Sequence, residues 1–157
     1  MHQKQITYVI YYLHNQYKLE VFMLALVLIL LTGDLSVCQM NAKDPIPSWA
    51  SSSKFFSITR TEDELSVVCS SDCVPDEIKC EKDWIAYKVV GPLDFGLTGI
   101  LASIAKPLAE ANISIFAIST YDTDYILIKK AHQADSIEAL KNAGFTIELQ
   151  CCNKHPA

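Results

Sequence analysis

The sequence has no cluster of lysine and arginine residues between positions 23 and 157, and its formal net charge is −5. A nucleic-acid-binding protein needs a basic face to displace the cations that surround phosphates. We therefore expect no nucleic-acid partner. The chain of 157 residues is 50% hydrophobic and 20% charged, which is enough apolar material for a packed core in one sizeable domain or two small ones.

The sequence also lacks a hydrophobic run typical of a membrane span. The apolar run at 21–31 has eleven residues and charged residues near both ends, whereas a membrane-spanning helix needs about twenty. We interpret 24–31 as a buried strand that the turn 32–34 joins, as a hairpin, to a returning strand at 35–40. We expect a cytoplasmic protein with no membrane partner. The alternative is export or membrane anchoring through residues 1–31, although no small-residue cleavage site follows the run.

The cysteines and histidines do not show the spacing of a zinc site or of a catalytic pair. The six cysteines are Cys38, Cys69, Cys73, Cys80, Cys151 and Cys152. Disulfide-built domains are usually short and poor in apolar core, unlike this chain. We expect free thiols, with disulfides or a metal site as the alternatives. We expect no catalytic residue, no metal ligand and no cofactor.

The apolar pattern over 84–149 changes period in an informative order. The predicted segments are a strand at 84–90, a helix at 97–112, strands at 113–120 and 125–129, a helix at 133–143 and a strand at 145–149. The order βαββαβ is that of ferredoxin-like α+β domains, in which both helices back one sheet. This arrangement is a scaffold for small ligands.

Local signals refine these helices. Asp94 is a candidate N-cap of the first helix, and Pro107 is expected to kink it. Asp135 and Glu138 have the spacing of a capping box, and Gly144 is placed to end the second helix.

The first half of the chain is rich in strands. Segments 55–60 and 64–69 predict a second hairpin, and the polar stretch 70–82 marks a boundary. The predicted domains are an N-terminal extension at 1–22, a strand-rich unit at 23–80, a complete unit at 81–150 and a tail at 151–157.

Two long motifs carry a resemblance to a known family. They are LDFGLTGILASIAKPLAEANISIFAISTYDTDYILI at 93–128 and FFSITRTEDELSVV at 55–68. The chain resembles ACT-domain proteins over about 23–150, particularly the small tandem proteins related to the regulatory part of aspartate kinases and to cytosolic arginine sensors. The resemblance implies two ACT-like units packed side by side, the first abbreviated. It also implies a regulatory protein, not an enzyme, that binds an amino acid or related metabolite.

The resemblance further implies where the ligand binds. The implied ligand-binding residues are Asp94, Gly96, Leu97, Thr98, Gly99, Thr120, Tyr121 and Asp124. Free amides at the start of the first helix suit a ligand carboxylate, and Asp124 suits an ammonium group. Leu97 stands where the arginine sensors carry an acidic residue, which favours a neutral or apolar ligand over arginine. The structural alternative is that Asp122 and Asp124 only form a turn.

The resemblance and the exposed sheet edges suggest the partners. We expect a homodimer, because an unpaired strand edge can pair with another chain. Any regulated enzyme must be a separate chain. The alternative is a ligand-free interaction or dimerisation module that docks a partner through its sheet edge.

Overall fold

The computed structural model describes residues 26–94 and 96–150, and the expected N-terminal extension, the C-terminal tail and Phe95 lie outside these ranges. The described chain forms an eight-stranded sheet with two α-helices. The strands are β1 (Val27–Leu30), β2 (Leu35–Asn41), β3 (Phe56–Arg60), β4 (Glu64–Ser70), β5 (Cys80–Val89), β6 (Ile115–Ser119), β7 (Asp124–Lys129) and β8 (Thr146–Leu149). The helices are α1 (Ile100–Glu110) and α2 (Gln133–Asn142).

The second half has the expected order of elements, β5, α1, β6, β7, α2 and β8. Strand β7 pairs with both β5 and β6, and both pairings are antiparallel. This confirms the ferredoxin-like α+β prediction. The two halves share a single sheet.

Both helices cover the same face of the sheet. Ile104 and Leu108 of α1 and Leu140 of α2 are fully buried, and they share one apolar cluster with Tyr87 and Ile126 of the strands beneath them. The spacing of Ile104 and Leu108 is that of one helix face, and Ile85 and Tyr87 have the alternation of a strand. The local apolar period therefore sets which side of each element faces this core.

The predicted hairpin between β1 and β2 was wrong. Strand β1 pairs antiparallel with β5, with Leu28 opposite Val89, and parallel with β8. Strand β2 also runs antiparallel to β5, with Cys38 opposite Cys80, and pairs with β4 on its other edge. Both strands therefore run in the same direction along one edge of β5. Residues 31–34 separate the two strands without reversing the direction of the chain.

A glycine permits this interruption. Gly33 has a φ of 93°, in the region that side chains rarely adopt. The Leu31 N–H still donates to the Ala86 carbonyl of β5 at 2.9 Å. The turn residues that suggested a hairpin thus form an irregularity between two consecutive strands.

The predicted hairpin in the first half is confirmed. Strands β3 and β4 are antiparallel, and the Thr61 N–H donates to the Glu64 carbonyl at 2.9 Å to close the turn. Beneath them lies a separate apolar cluster that includes Leu65, Val67 and Cys38. Within 26–94 and 96–150, no helix is long and apolar enough to cross a bilayer.

The N-terminal caps of both helices differ from the predicted ones. Helix α1 begins at Ile100 with Gly99 as its cap, so the prediction of Asp94 as the N-cap was wrong. The cap of α2 is His132, so Asp135 lies in the first helical turn and forms no capping box. The predicted stop is confirmed, because Gly144 has a φ of 94° and donates its N–H to the Lys141 carbonyl at 3.0 Å.

Candidate functional site

The fold brings the two parts of the predicted site together at the end of β5. The Leu93 N–H donates to the Asp122 carbonyl at 2.8 Å, which joins the loop 91–99 to the turn 120–123. A Cβ at Gly91 would lie only 2.7 Å from the same carbonyl oxygen. A glycine is therefore needed at 91 for this close approach.

Thr123 anchors the turn, although the sequence did not single it out. Its side chain is buried, and its hydroxyl donates to the Val89 carbonyl at the end of β5. The Thr120 hydroxyl in turn donates to the Thr123 carbonyl at 2.8 Å. The only signal in the sequence was a polar residue in a polar turn, which does not distinguish a buried anchor from an exposed turn residue.

The N-terminus of α1 is open. No side chain caps it, and Gly99 has a φ of 85° with no atom within 4 Å of the position of a Cβ. Asp94 instead accepts the Gly96 N–H at 2.7 Å and holds the loop before the helix. The first amides and the dipole of the helix together favour an anion in that space.

The predicted site residues lie at the surface. Seven of the eight are exposed, and Asp124, the first residue of β7, is half-buried. Leu97 is 36% exposed and Tyr121 is 80% exposed. Because these side chains are exposed, a second surface would have to cover them to enclose a ligand there.

A cavity of about 910 Å³ lies elsewhere. It is lined by the β1–β2 turn, the loop before β3, and the paired residues Lys88 and Tyr125, and none of the eight predicted residues lines it. Tyr125 follows Asp124 on β7, and consecutive strand residues point to opposite faces. The cavity and the predicted site are therefore separate.

The described residues contain no arrangement suited to metal binding. In the part of the chain at 26–94 and 96–150, no three histidine, cysteine or acidic side chains are placed to hold a metal ion. The two ion pairs found among the described residues, Lys129–Glu81 and Lys130–Asp34, are exposed and lie away from the loop 91–99. The Asp34 carboxylate raises the pKa of Lys130 by hydrogen bonding to its ammonium group.

Comparison with known proteins identifies the family. The ACT-domain family model matches residues 79–142, and the model of an N-terminal domain matches residues 33–77. The chain belongs to the ACT-domain family. Its ACT domain includes all eight predicted ligand-binding residues.

The relatives agree with this assignment. The bovine cytosolic arginine sensor for mTORC1 subunit 1 is 32% identical over 88 residues, which are 49% of this chain and 27% of the sensor. Protein Atu0741 from Agobacterium tumefaciens is 36% identical with a TM-score of 0.77, over 83% of this chain and 98% of that one. The regulatory subunit of aspartate kinase from Thermus thermophilus shares the fold, at 10% identity and a TM-score of 0.50 over 70% of this chain and 91% of the subunit.

The chain spans 27% of the length of the bovine sensor and 55% of the length of a shorter human relative, CASTOR3P. Membership in the ACT-domain family supports a regulatory, ligand-binding role for the chain.

Proposed function

We propose that the protein is a non-catalytic regulatory module that binds an amino acid between the loop 91–99 and the turn 120–124. The observation that carries the proposal is the open N-terminus of α1 beside that turn, within an ACT domain. The bovine relative is named a cytosolic arginine sensor, which supports an amino-acid ligand and a cytosolic location.

The residues of the proposed site can bind both charged groups of an amino acid, its carboxylate and its ammonium group. The amides at 98–99 and at the start of α1 would bind the carboxylate, since the Leu97 N–H already donates to the Asp94 carbonyl. Gly96 and Gly99 allow close approach to the backbone. The half-buried Asp124 would bind the ammonium group, beside Thr120 and Tyr121 on the same turn. Leu97 would contact the ligand side chain, which favours a neutral or apolar amino acid.

A second copy of the chain would complete this exposed site. Strand β6 pairs only with β7 among the described strands, so its other edge is open. Strand β6 leads directly into Thr120, so pairing through this edge would place a second copy close to the ligand. The regulated enzyme would recognise the ligand-bound dimer.

A second candidate function is a ligand-free interaction module. The surface position of the predicted site residues favours it, because the described chain alone does not enclose a ligand there. In this alternative the open strand edge binds a partner regardless of amino acids.

A thermal-shift screen of the full chain against the twenty common amino acids tests these candidates. At a hundred times its dissociation constant, a ligand stabilises the folded state by about 2.7 kcal/mol, which corresponds to several degrees. We expect such a shift with a neutral apolar amino acid, and sedimentation should then show more dimer.

Three variants locate the ligand. Asp124→Asn should abolish the shift, whereas Asp63→Asn, in the exposed β3–β4 turn, should retain it. A shift that is lost in Lys88→Ala but kept in Asp124→Asn would place the ligand in the separate cavity. Unchanged melting with all twenty amino acids would instead support the interaction module.

A further inference from the structure

The first half of the molecule gathers four thiols around one apolar cluster. Cys38 lies on β2, Cys69 on β4, Cys80 at the start of β5, and Cys73 in the short turn after β4. All four are free cysteines, and they are not placed to hold a metal ion. The ligand-binding proposal uses none of them.

Cys38 and Cys80 face each other across neighbouring strands. They are direct partners in the antiparallel register of β2 and β5. The adjacent Gln39 N–H donates to the Lys79 carbonyl at 2.9 Å, so Cys38 and Cys80 occupy the next, non-hydrogen-bonded position. At such positions the Cα atoms are about 4.5 Å apart, within the range that a disulfide can bridge.

Cys69 is a less suitable partner for Cys38. The residue of β4 opposite Cys38 is Val67, so Cys69 is a diagonal neighbour two residues away. Diagonal positions are about 7–8 Å apart, and a disulfide requires closer Cβ atoms. Hydrogen bonding to Cys69 and burial raise the pKa of the Cys38 thiol, whereas hydrogen bonding to Cys80 lowers it. The strand register nevertheless makes Cys80 the better placed disulfide partner.

The two thiols differ in access. Cys38 is 1% exposed, whereas Cys80 is half-buried and can be reached from solvent. Burial raises the pKa of Cys80, and the positive charge of Lys82 opposes this effect. A small oxidant therefore meets Cys80 first, and Cys38 is positioned behind it to complete the reaction.

We propose that Cys38 and Cys80 form an oxidisable dithiol that reacts with low-molecular-weight disulfides, such as glutathione disulfide, to form a disulfide between β2 and β5. The Cys80 thiolate attacks one sulfur of the small disulfide, which forms a mixed disulfide and releases one thiolate. The Cys38 thiolate then attacks the Cys80 sulfur and releases the second thiolate. The two protein thiols lose two protons and two electrons, and the small disulfide becomes two thiols.

This site is distinct from the amino-acid site. Cys38 and Cys80 belong to the cluster under the first half, whereas the ligand-binding residues lie beyond the far end of β5. Oxidation would tie the first half covalently to the strand that leads to the ACT-domain loop. The chain would thereby respond to thiol redox state as well as to a ligand.

The test uses the full chain with Cys151 and Cys152 replaced by serine. The protein is incubated with glutathione disulfide, alkylated and digested without reduction, and its intact mass and linked peptides are measured. We expect the loss of two hydrogen atoms and a peptide pair that joins Cys38 to Cys80. Cys38→Ala should stop at one glutathione adduct on Cys80, and Cys73→Ser is the matched control that should still cross-link.

Three results would overturn the proposal. These are the same mass loss in Cys80→Ser, a linked peptide that joins Cys69 to Cys73, or a stable glutathione adduct on the parent protein with no cross-link. Circular dichroism of each variant establishes that it folds. The shift in melting temperature caused by an amino acid is measured separately on the parent protein. Failure of either proposal therefore leaves the other one intact.

Discussion

At the scale of single residues, two buried hydroxyl groups connect the sheet to a helix. The oxygen atoms of Tyr87 on β5 and Ser136 on α2 are 2.7 Å apart. The Ser136 hydroxyl also lies 2.7 Å from the Gln133 carbonyl, to which it donates. Because a serine has one hydroxyl proton, Tyr87 must donate to Ser136. The pair therefore fixes the start of α2 over the centre of the sheet.

Replacing this tyrosine tests the pair. Tyr87→Phe should lower the free energy of unfolding by about 1 kcal/mol, because Ser136 loses its donor inside the core. Urea unfolding measures the change. The matched control is Tyr125→Phe, whose hydroxyl has no hydrogen-bond partner within the described ranges and which should change stability less. Equal losses in both variants would contradict the assigned role.

The same tyrosine predicts a dependence of stability on pH. Burial raises the pKa of Tyr87 above its ordinary value, and the hydrogen bond to Ser136 partly opposes this effect. In the unfolded chain Tyr87 loses its proton near pH 10. Above that pH the unfolded state binds fewer protons than the folded state, so stability falls as pH rises. The parent protein should therefore lose its advantage in free energy of unfolding over Tyr87→Phe between pH 9 and pH 11. An advantage that stays constant over this range would contradict the raised pKa of Tyr87.

At the scale of elements, the sequence predicts the helices and strands whose formation depends on residues close together in the chain. The β-branched and aromatic residues at 84–90 predicted β5, and the helical spacing of Ile104 and Leu108 predicted α1, since both signals depend on local sequence. The start of α1 was misplaced because Leu97 fits the helical period, whereas the positive φ of Gly99 delays the helix to Ile100.

The partners of a strand were harder to predict. The apolar run that became β1 indicated a buried strand, but burial does not say which strands lie beside it. Residues 32–34 suggested a reversal, and only the position of β5 shows that β1 and β2 continue in one direction. For the site, sequence identified a turn near a helix start, but neither the anchor at Thr123 nor the exposure of the surrounding residues.

Pro107 provides a test at this scale. It lies inside α1, where it cannot donate an N–H to the Ser103 carbonyl. Pro107→Ala should stabilise the protein by about 2 kcal/mol, which is the helix-interior cost of proline less the entropy that proline removes from the unfolded chain. Thermal unfolding measures the gain, with exposed Lys106→Ala as the control. A lower melting temperature in Pro107→Ala would show that the proline shapes the packing of α1.

At the scale of the whole molecule, the two halves share strands. β5 pairs with β2 from the first half and β7 from the second, and it also pairs with β1. Strand β8 pairs only with β1 among the described strands. Residues 80–150 contain every element of the βαββαβ unit, yet within this structure that unit incorporates a strand from before residue 31.

This sharing predicts the behaviour of a fragment. A polypeptide of residues 80–150 lacks β1, so it loses the partner of β8 and uncovers the core contacts of Leu28 and Leu30. We expect poor folding, seen as weak chemical-shift dispersion in NMR spectra and non-cooperative melting. A fragment of residues 26–150 is the control and should fold. A cooperative, well-dispersed 80–150 fragment would show that the ACT unit is independent of β1.

The parallel pairing of β1 with β8 also has a kinetic consequence. Residues 27–30 leave the ribosome early, but their partners at 146–149 emerge only after nearly all of the intervening chain. Until then the outer edge of β1 remains open to other chains, and contacts this distant in sequence form slowly. The nascent protein is therefore most vulnerable to aggregation during translation, and a chaperone that shields this edge should raise its yield.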